Sequence, residues 1–148
     1  MPNHPIKILV DKVTNFFEKE KISDLIIPEE KFLVFDDFDP LVTTDACFDK
    51  LFIPPDHVSR AVTDTFYKDE THCLRPHTSV HQIPLMSGSA GFGKNDAFLC
   101  VGDVYRKDTI DRTHYPVFHQ MEGVRIYDFK TIGAKSKDEA KAICKEDL

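Results

Sequence analysis

The chain has 148 residues, 41% of them hydrophobic and 30% charged, with a formal net charge of -6. That balance builds one globular domain with its own core and excludes a disordered chain. No apolar run approaches the roughly 20 residues of a membrane-spanning helix, and the acidic excess excludes a general basic footprint on nucleic-acid phosphates, so any such contact has to be local.

Ile6, Leu9, Val10, Val13 and Phe17 recur with helical spacing, which predicts a helix over residues 3–20 with Asn3 as N-cap and Pro5 in its first turn, one face packed on a sheet. KFLVFDDF (31–38) and LVTT (41–44) read as strands broken at Pro40. In LFIPPDHVSR the pair Pro54 and Pro55 excludes regular structure and predicts a loop crossing the sheet. HTSVHQIPLM (77–86) reads as a short helix that Pro84 kinks or ends. Two strands follow, 96–106 and 117–129, joined by the polar loop KDTIDRTHYP and expected to pair antiparallel. Ser136 and Glu139 make a capping box for a terminal amphipathic helix.

The four cysteines, Cys47, Cys73, Cys100 and Cys144, are widely spread, form no C-x-x-C pair and follow no apolar signal segment, which fits a reducing compartment. The start MPNHPIKI has no Arg-rich, Ser-rich transit-peptide character. In GSAGFGKN, Gly88, Gly93 and Lys94 fit G-x-x-x-x-G-K, but Asn95 stands where a P-loop has Ser or Thr. A strand follows instead of a helix, so the segment reads as a flexible connection.

Chemistry concentrates on the second hairpin strand. Period-two alternation puts Phe118, Gln120 and Glu122 on one face and His119 and Met121 on the other. Arg106 shares its parity with Gly102 and Val104, so a cation emerges beside a spot where a missing side chain leaves room for a ligand. By pattern alone this is equally an ordinary solvated sheet face with a cross-strand Arg/Glu contact. His77 and His81, with His72, His114 and His119, offer a metal-dependent hydrolase as a further reading. The H-E-x-x-H spacing is not met, however, because Thr78 and Ser79 follow His77.

LRPHTSVHQ (74–82) and GDVYRKDTIDRTHYPVFHQMEG (102–123) closely resemble the phenylalanyl-tRNA synthetase family, in its single-chain organellar, mitochondrial type. HPIKILVDKV, FDDFDPLVTT and FDKLFIPPDHVSR extend the resemblance over nearly all of the chain to about residue 129. It implies an α+β class II aminoacyl-tRNA synthetase core, an antiparallel sheet flanked by helices. Residues 1–148 would be the N-terminal part of that catalytic domain, with motif 1 over about 4–44 and the motif 2 hairpin over about 98–126. On that reading motif 3 and an anticodon-binding domain would be absent from residues 1–148. The resemblance further implies ATP, accompanied by Mg²⁺, bound by Arg106 at the α-phosphate, by His114 and by Phe118 against adenine. Phenylalanine would lie against Gln120, Glu122, His77, Ser79 and Gln82, and no protein ligand to a metal is implied. Partners would be phenylalanine, ATP and tRNA(Phe), with no membrane, in the mitochondrial matrix; full-length relatives of this type are monomeric. The implied reaction forms phenylalanyl-adenylate and transfers the amino acid to tRNA, and the alternative is a catalytically inactive synthetase-like binding module. Two departures stand out: R-x-E reads R-K-D with Asp108, and H-P-x-R reads HVSR with Val58.

Overall fold

A computed structural model of the chain describes residues 4–19, 32–89, 96–107 and 109–146. In chain order the elements are α1 (Pro5–Lys19), β1 (Phe32–Phe35), β2 (Leu41–Thr43), β3 (His72–Leu74), α2 (Gln82–Pro84), β4 (Ala97–Tyr105), β5 (Val117–Arg125) and α3 (Lys137–Glu146). Strands β1, β4 and β5 form a three-stranded sheet in the order β1-β4-β5, and β2 and β3 form a second sheet. The chain divides into two units, one comprising Met1–Val34, Gly91–Leu99 and Gly123–Leu148, the other Phe35–Ala90 and Cys100–Glu122.

In the first unit α1 matches the expected helix within a residue or two at each end, and Lys7 and Asp11 pair across one turn at 2.6 Å. The proposed cap Asn3 lies outside the described residues. The expected burial of the apolar stripe is only partly met: Ile6, Val10 and Val13 are half-buried, whereas Leu9 is 62% exposed and Phe17 is exposed. Periodicity reports which side of a helix is apolar, not whether anything covers it. Phe98, Leu99 and Ile132 are buried in this unit. At α3 the Ser136 hydroxyl accepts the Glu139 N–H at 3.1 Å, as a capping box requires. The Glu139 carboxylate reaches back to the Lys135 N–H at 2.8 Å, one residue beyond the usual partner.

In the second unit β2 and β3 pair antiparallel, with Leu41 opposite Leu74, Val42 opposite Cys73 and Thr43 opposite His72. The break at Pro40 is real: the Asp39 carboxylate accepts the Leu41 N–H at 2.8 Å and turns the chain into β2. Cys47, Phe48, Cys73 and Val80 form the buried cluster, with Val42, Ala46, Ile53 and Tyr67 packed against it. The Pro-rich stretch contains one 3-10 turn, Val58–Arg60, capped by the His57 side chain. Residues 78–89 are helical throughout, passing from a 3-10 turn (Thr78–His81) through α2 to a π turn (Leu85–Ser89). Pro84 thus does not end the helical path: it is the third residue of α2, inside the first turn, where an N–H has no carbonyl of the same helix to pair with. Residues 90–95, most of the Gly-rich segment, lie outside the described residues, as does Asp108.

Candidate active site

Two bonds set how β4 faces β5. The Arg106 N–H donates to the Pro116 carbonyl at 2.9 Å, and His119 pairs with Asp103 across the strands. Both fit one antiparallel hairpin register, the expected arrangement, which puts Val104 opposite Phe118, Gly102 opposite Gln120 and Cys100 opposite Glu122. His119 meets Asp103 on the face turned away from Gln120 and Glu122, as the alternation requires.

The segment after β3 joins this face rung by rung. The Pro76 carbonyl accepts the Arg106 Nε–H at 3.1 Å, the Thr78 N–H donates to Gln120 Oε1 at 3.2 Å, and the Ser79 hydroxyl donates to Glu122 Oε2 at 2.8 Å. The Arg106 guanidinium lies over the Phe118 ring, 5.0 Å from its centroid. Nε is committed to Pro76, which leaves the two terminal nitrogens, the pair that forms a bidentate fork, to meet an anion. Arg106, Phe118, Gln120, Glu122 and Ser79 are therefore brought together as the sequence suggested.

His77 stands beside them with its Nε2 3.8 Å from the Cys47 thiol. Burial first, and the Arg106 charge second, push its pKa below the usual histidine value, so the ring is neutral at pH 7. Among the described residues three buried polar atoms here have no hydrogen-bond partner: His77 Nδ1, Thr78 Oγ1 and Glu122 Oε1. An unpaired buried carboxylate oxygen costs about 1–3 kcal/mol or more, so a group of donors, such as an ammonium, would be favoured against it. Thr78, fully buried, is a residue the sequence reading passed over; its place inside H-T-S was the available signal.

The remaining two expected residues lie outside these bonds. Gln82 opens α2, half-buried. His114 is exposed in the β4–β5 loop, where Asp111 accepts from its Nδ1 at 2.8 Å and from its backbone N–H at 2.8 Å. Asp111 also accepts from the Thr113 N–H, and these bonds hold its carboxyl well below the usual range.

One expectation is corrected. The space beside Gly102 is not left for a ligand: a Cβ placed there would stand 2.1 Å from Nη2 of Arg75, whose guanidinium fills it. Glycine is required because another side chain of the protein passes through the position a Cβ would take. The histidines do not converge either. His72 bonds Asp69, His114 bonds Asp111, His119 pairs with Asp103, and His81 bonds Arg75. Among the described residues no three His, Cys, Asp or Glu side chains gather around one point.

Comparison with known proteins agrees with this architecture. The family model for the tRNA synthetases class II core domain (F) matches residues 2–134. The mitochondrial phenylalanine–tRNA ligase of Dictyostelium discoideum is 46% identical over 128 residues, 86% of this chain and 26% of that protein. The chloroplastic/mitochondrial phenylalanine–tRNA ligase of Arabidopsis thaliana is 42% identical over 135 residues, 91% of this chain and 29% of that protein. A solved structure of a pyrrolysyl tRNA synthetase from Desulfitobacterium hafniense shares the fold with a TM-score of 0.62 at 14% identity, covering 97% of this chain and 46% of that one. The chain thus spans about a quarter of the length of the phenylalanine–tRNA ligases it matches. With its α+β architecture and a family match over residues 2–134, the chain belongs to the class II tRNA synthetase core-domain family.

Proposed function

We propose that this chain supplies the motif 1 and motif 2 part of a phenylalanine–tRNA ligase, over about 4–44 and 98–126, and acts in mitochondria. The names of the relatives above support the substrate and the location. The observation that carries the reading is the Ser79–Glu122 bond beside an unpartnered Glu122 oxygen, an arrangement suited to a substrate ammonium.

In the proposed reaction a phenylalanine carboxylate oxygen attacks the α-phosphorus of ATP, the bond to the bridging oxygen breaks and pyrophosphate leaves. A tRNA(Phe) 3′-terminal hydroxyl then attacks the adenylate carbonyl and AMP leaves. The terminal nitrogens of Arg106 would hold the α-phosphate while charge builds on it, and donors fixed beforehand are worth most there. Arg106 lies over one face of Phe118, and adenine would stack on the other. Glu122, steadied by Ser79, would take the ammonium, and Gln120, fixed by the Thr78 N–H, would orient the same group. A neutral His77 adds no charge to repel it. Mg²⁺ enters with the ATP phosphates as part of the substrate and supplies charge neutralisation.

The test is phenylalanine-dependent exchange between ATP and pyrophosphate by the full-length protein and its Ser79→Ala variant. Loss of the hydroxyl should raise the phenylalanine KM about tenfold, the scale of a hydrogen bond to a charged group, and leave the ATP KM within about threefold. No exchange from a correctly folded full-length protein would favour the inactive binding module.

A further inference from the structure

Arg75 is 3% exposed, and its side-chain hydrogen bonds within the described residues go to neutral acceptors. Nε–H donates to the Asp103 carbonyl at 2.8 Å, and Nη1 donates to the Phe38 carbonyl at 3.0 Å and to His81 Nε2 at 2.9 Å. The last bond needs a neutral His81 with its proton on Nδ1, and burial together with the Arg75 charge holds the His81 pKa down at about 4. The imidazole is also stacked on Phe38, with ring centroids 4.3 Å apart. Nη2 and the central carbon occupy the position a Cβ would take at Gly102. By the β4–β5 register, Gly102 lies opposite Gln120, so this buried cation sits on the same face as Gln120 and Glu122.

The Arg75 backbone makes the same link from the other side. Its carbonyl accepts the Tyr105 N–H at 2.9 Å and its N–H donates to the Pro40 carbonyl at 2.9 Å. The next residue, Pro76, accepts from Arg106, and Thr78 and Ser79 hold Gln120 and Glu122. We infer that Arg75, seated in the hole left by Gly102, is a positioning residue that fixes residues 76–79 over the hairpin and thereby sets the separation of the two substrates' binding groups. Arginine suits the seat because three acceptors surround one planar fork, which a lysine ammonium cannot span.

The inference rests on the ligase reading. In the full-length ligase, Arg75→Lys and Gly102→Ala should each lower kcat for phenylalanine-dependent exchange by about tenfold or more per active site counted by adenylate burst, since small misplacements at a reacting pair cost rates of that order. The KM values should rise less than kcat falls. The double variant should be no worse than Arg75→Lys within about twofold, because lysine lacks the Nη2 that meets the new Cβ at 2.1 Å and its unforked terminal ammonium can swing aside. His81→Leu, which removes one acceptor and keeps an apolar surface against Phe38, is the milder variant in case Arg75→Lys fails to fold, and it should lower kcat by about threefold. Wild-type kcat in Arg75→Lys or in His81→Leu would overturn the inference, as would losses that multiply in the double variant. If the unsubstituted ligase shows no phenylalanine-dependent exchange, the substrate reading fails instead. The seat is then judged by thermal midpoints, where the losses from Arg75→Lys and Gly102→Ala must again fall short of adding; additive losses overturn it.

Discussion

Replacing Arg106 by alanine in the full-length protein removes the guanidinium whose Nε is held by Pro76 and whose plane lies over Phe118. The two terminal nitrogens can make two charge-assisted bonds to a phosphate, each worth about 1.5–3 kcal/mol. Part of that strength is already present in the ground state, so roughly 3–4 kcal/mol is left for the transition state, the range seen for losing one preorganised donor. At about 1.4 kcal/mol per tenfold, exchange should fall by about 10²–10³-fold. The cation–π contact with Phe118 is worth only about 0.5–1 kcal/mol at a site this exposed, so folding should survive and circular dichroism should be unchanged. Arg106→Lys should recover only a small part of the rate, because an ammonium cannot present the fork. The assay is incorporation of labelled pyrophosphate into ATP at saturating phenylalanine, normalised to folded protein. Exchange within about threefold of wild type in Arg106→Ala would remove the α-phosphate role and with it the assignment of the hairpin as motif 2.

Glu122→Gln keeps an acceptor for Ser79 but replaces a carboxylate by an amide, so the phenylalanine KM should rise about 10- to 100-fold with the ATP KM little changed; an unaltered phenylalanine KM refutes the ammonium role. Phe52 is 93% exposed with φ of 57°, a left-handed conformation costing a side chain of this kind about 1–2 kcal/mol, so Phe52→Asn should raise the thermal midpoint by about 2–4 °C, and a fall would contradict the strain argument. His81 titrates near 6.5 when unfolded and at about 4 when folded, so the unfolded chain binds the extra proton between those values. Stability is therefore full above pH 6.5 and declines as pH falls toward 4, by about 1–2 kcal/mol after allowing for solvent screening at the half-buried ring, and His81→Leu should flatten that decline in a denaturant titration; an unchanged pH dependence in His81→Leu counts against it.

The face carrying Phe118, Gln120 and Glu122 was legible in the sequence because strand side chains alternate with period two, and that regularity survives packing. The terminal cap was legible for a similar reason: Ser136 and Glu139 are three apart, and the bond they imply is local. Gly102 was misread because its neighbour Arg75 lies 27 residues earlier and reaches it only once β3 and β4 are in place. Sequence marked a missing side chain and could not say what filled the space. Phe52 gave no signal at all, since positive φ is ordinarily announced by Gly or Asn and here falls on an aromatic. The change of helical type at Pro84 is likewise set by tertiary context; local propensity foretold only the interruption.

The central claim is that this face activates phenylalanine, with the Ser79–Glu122 side taking its ammonium group. Its most direct test is exchange by the full-length protein measured separately with each of the twenty standard amino acids, alongside Glu122→Ala. Strong stimulation by phenylalanine above every other amino acid, abolished in Glu122→Ala while the fold is retained, is the result this account requires. Stimulation by a different amino acid in preference to phenylalanine, or phenylalanine-dependent exchange that survives in Glu122→Ala, would contradict it.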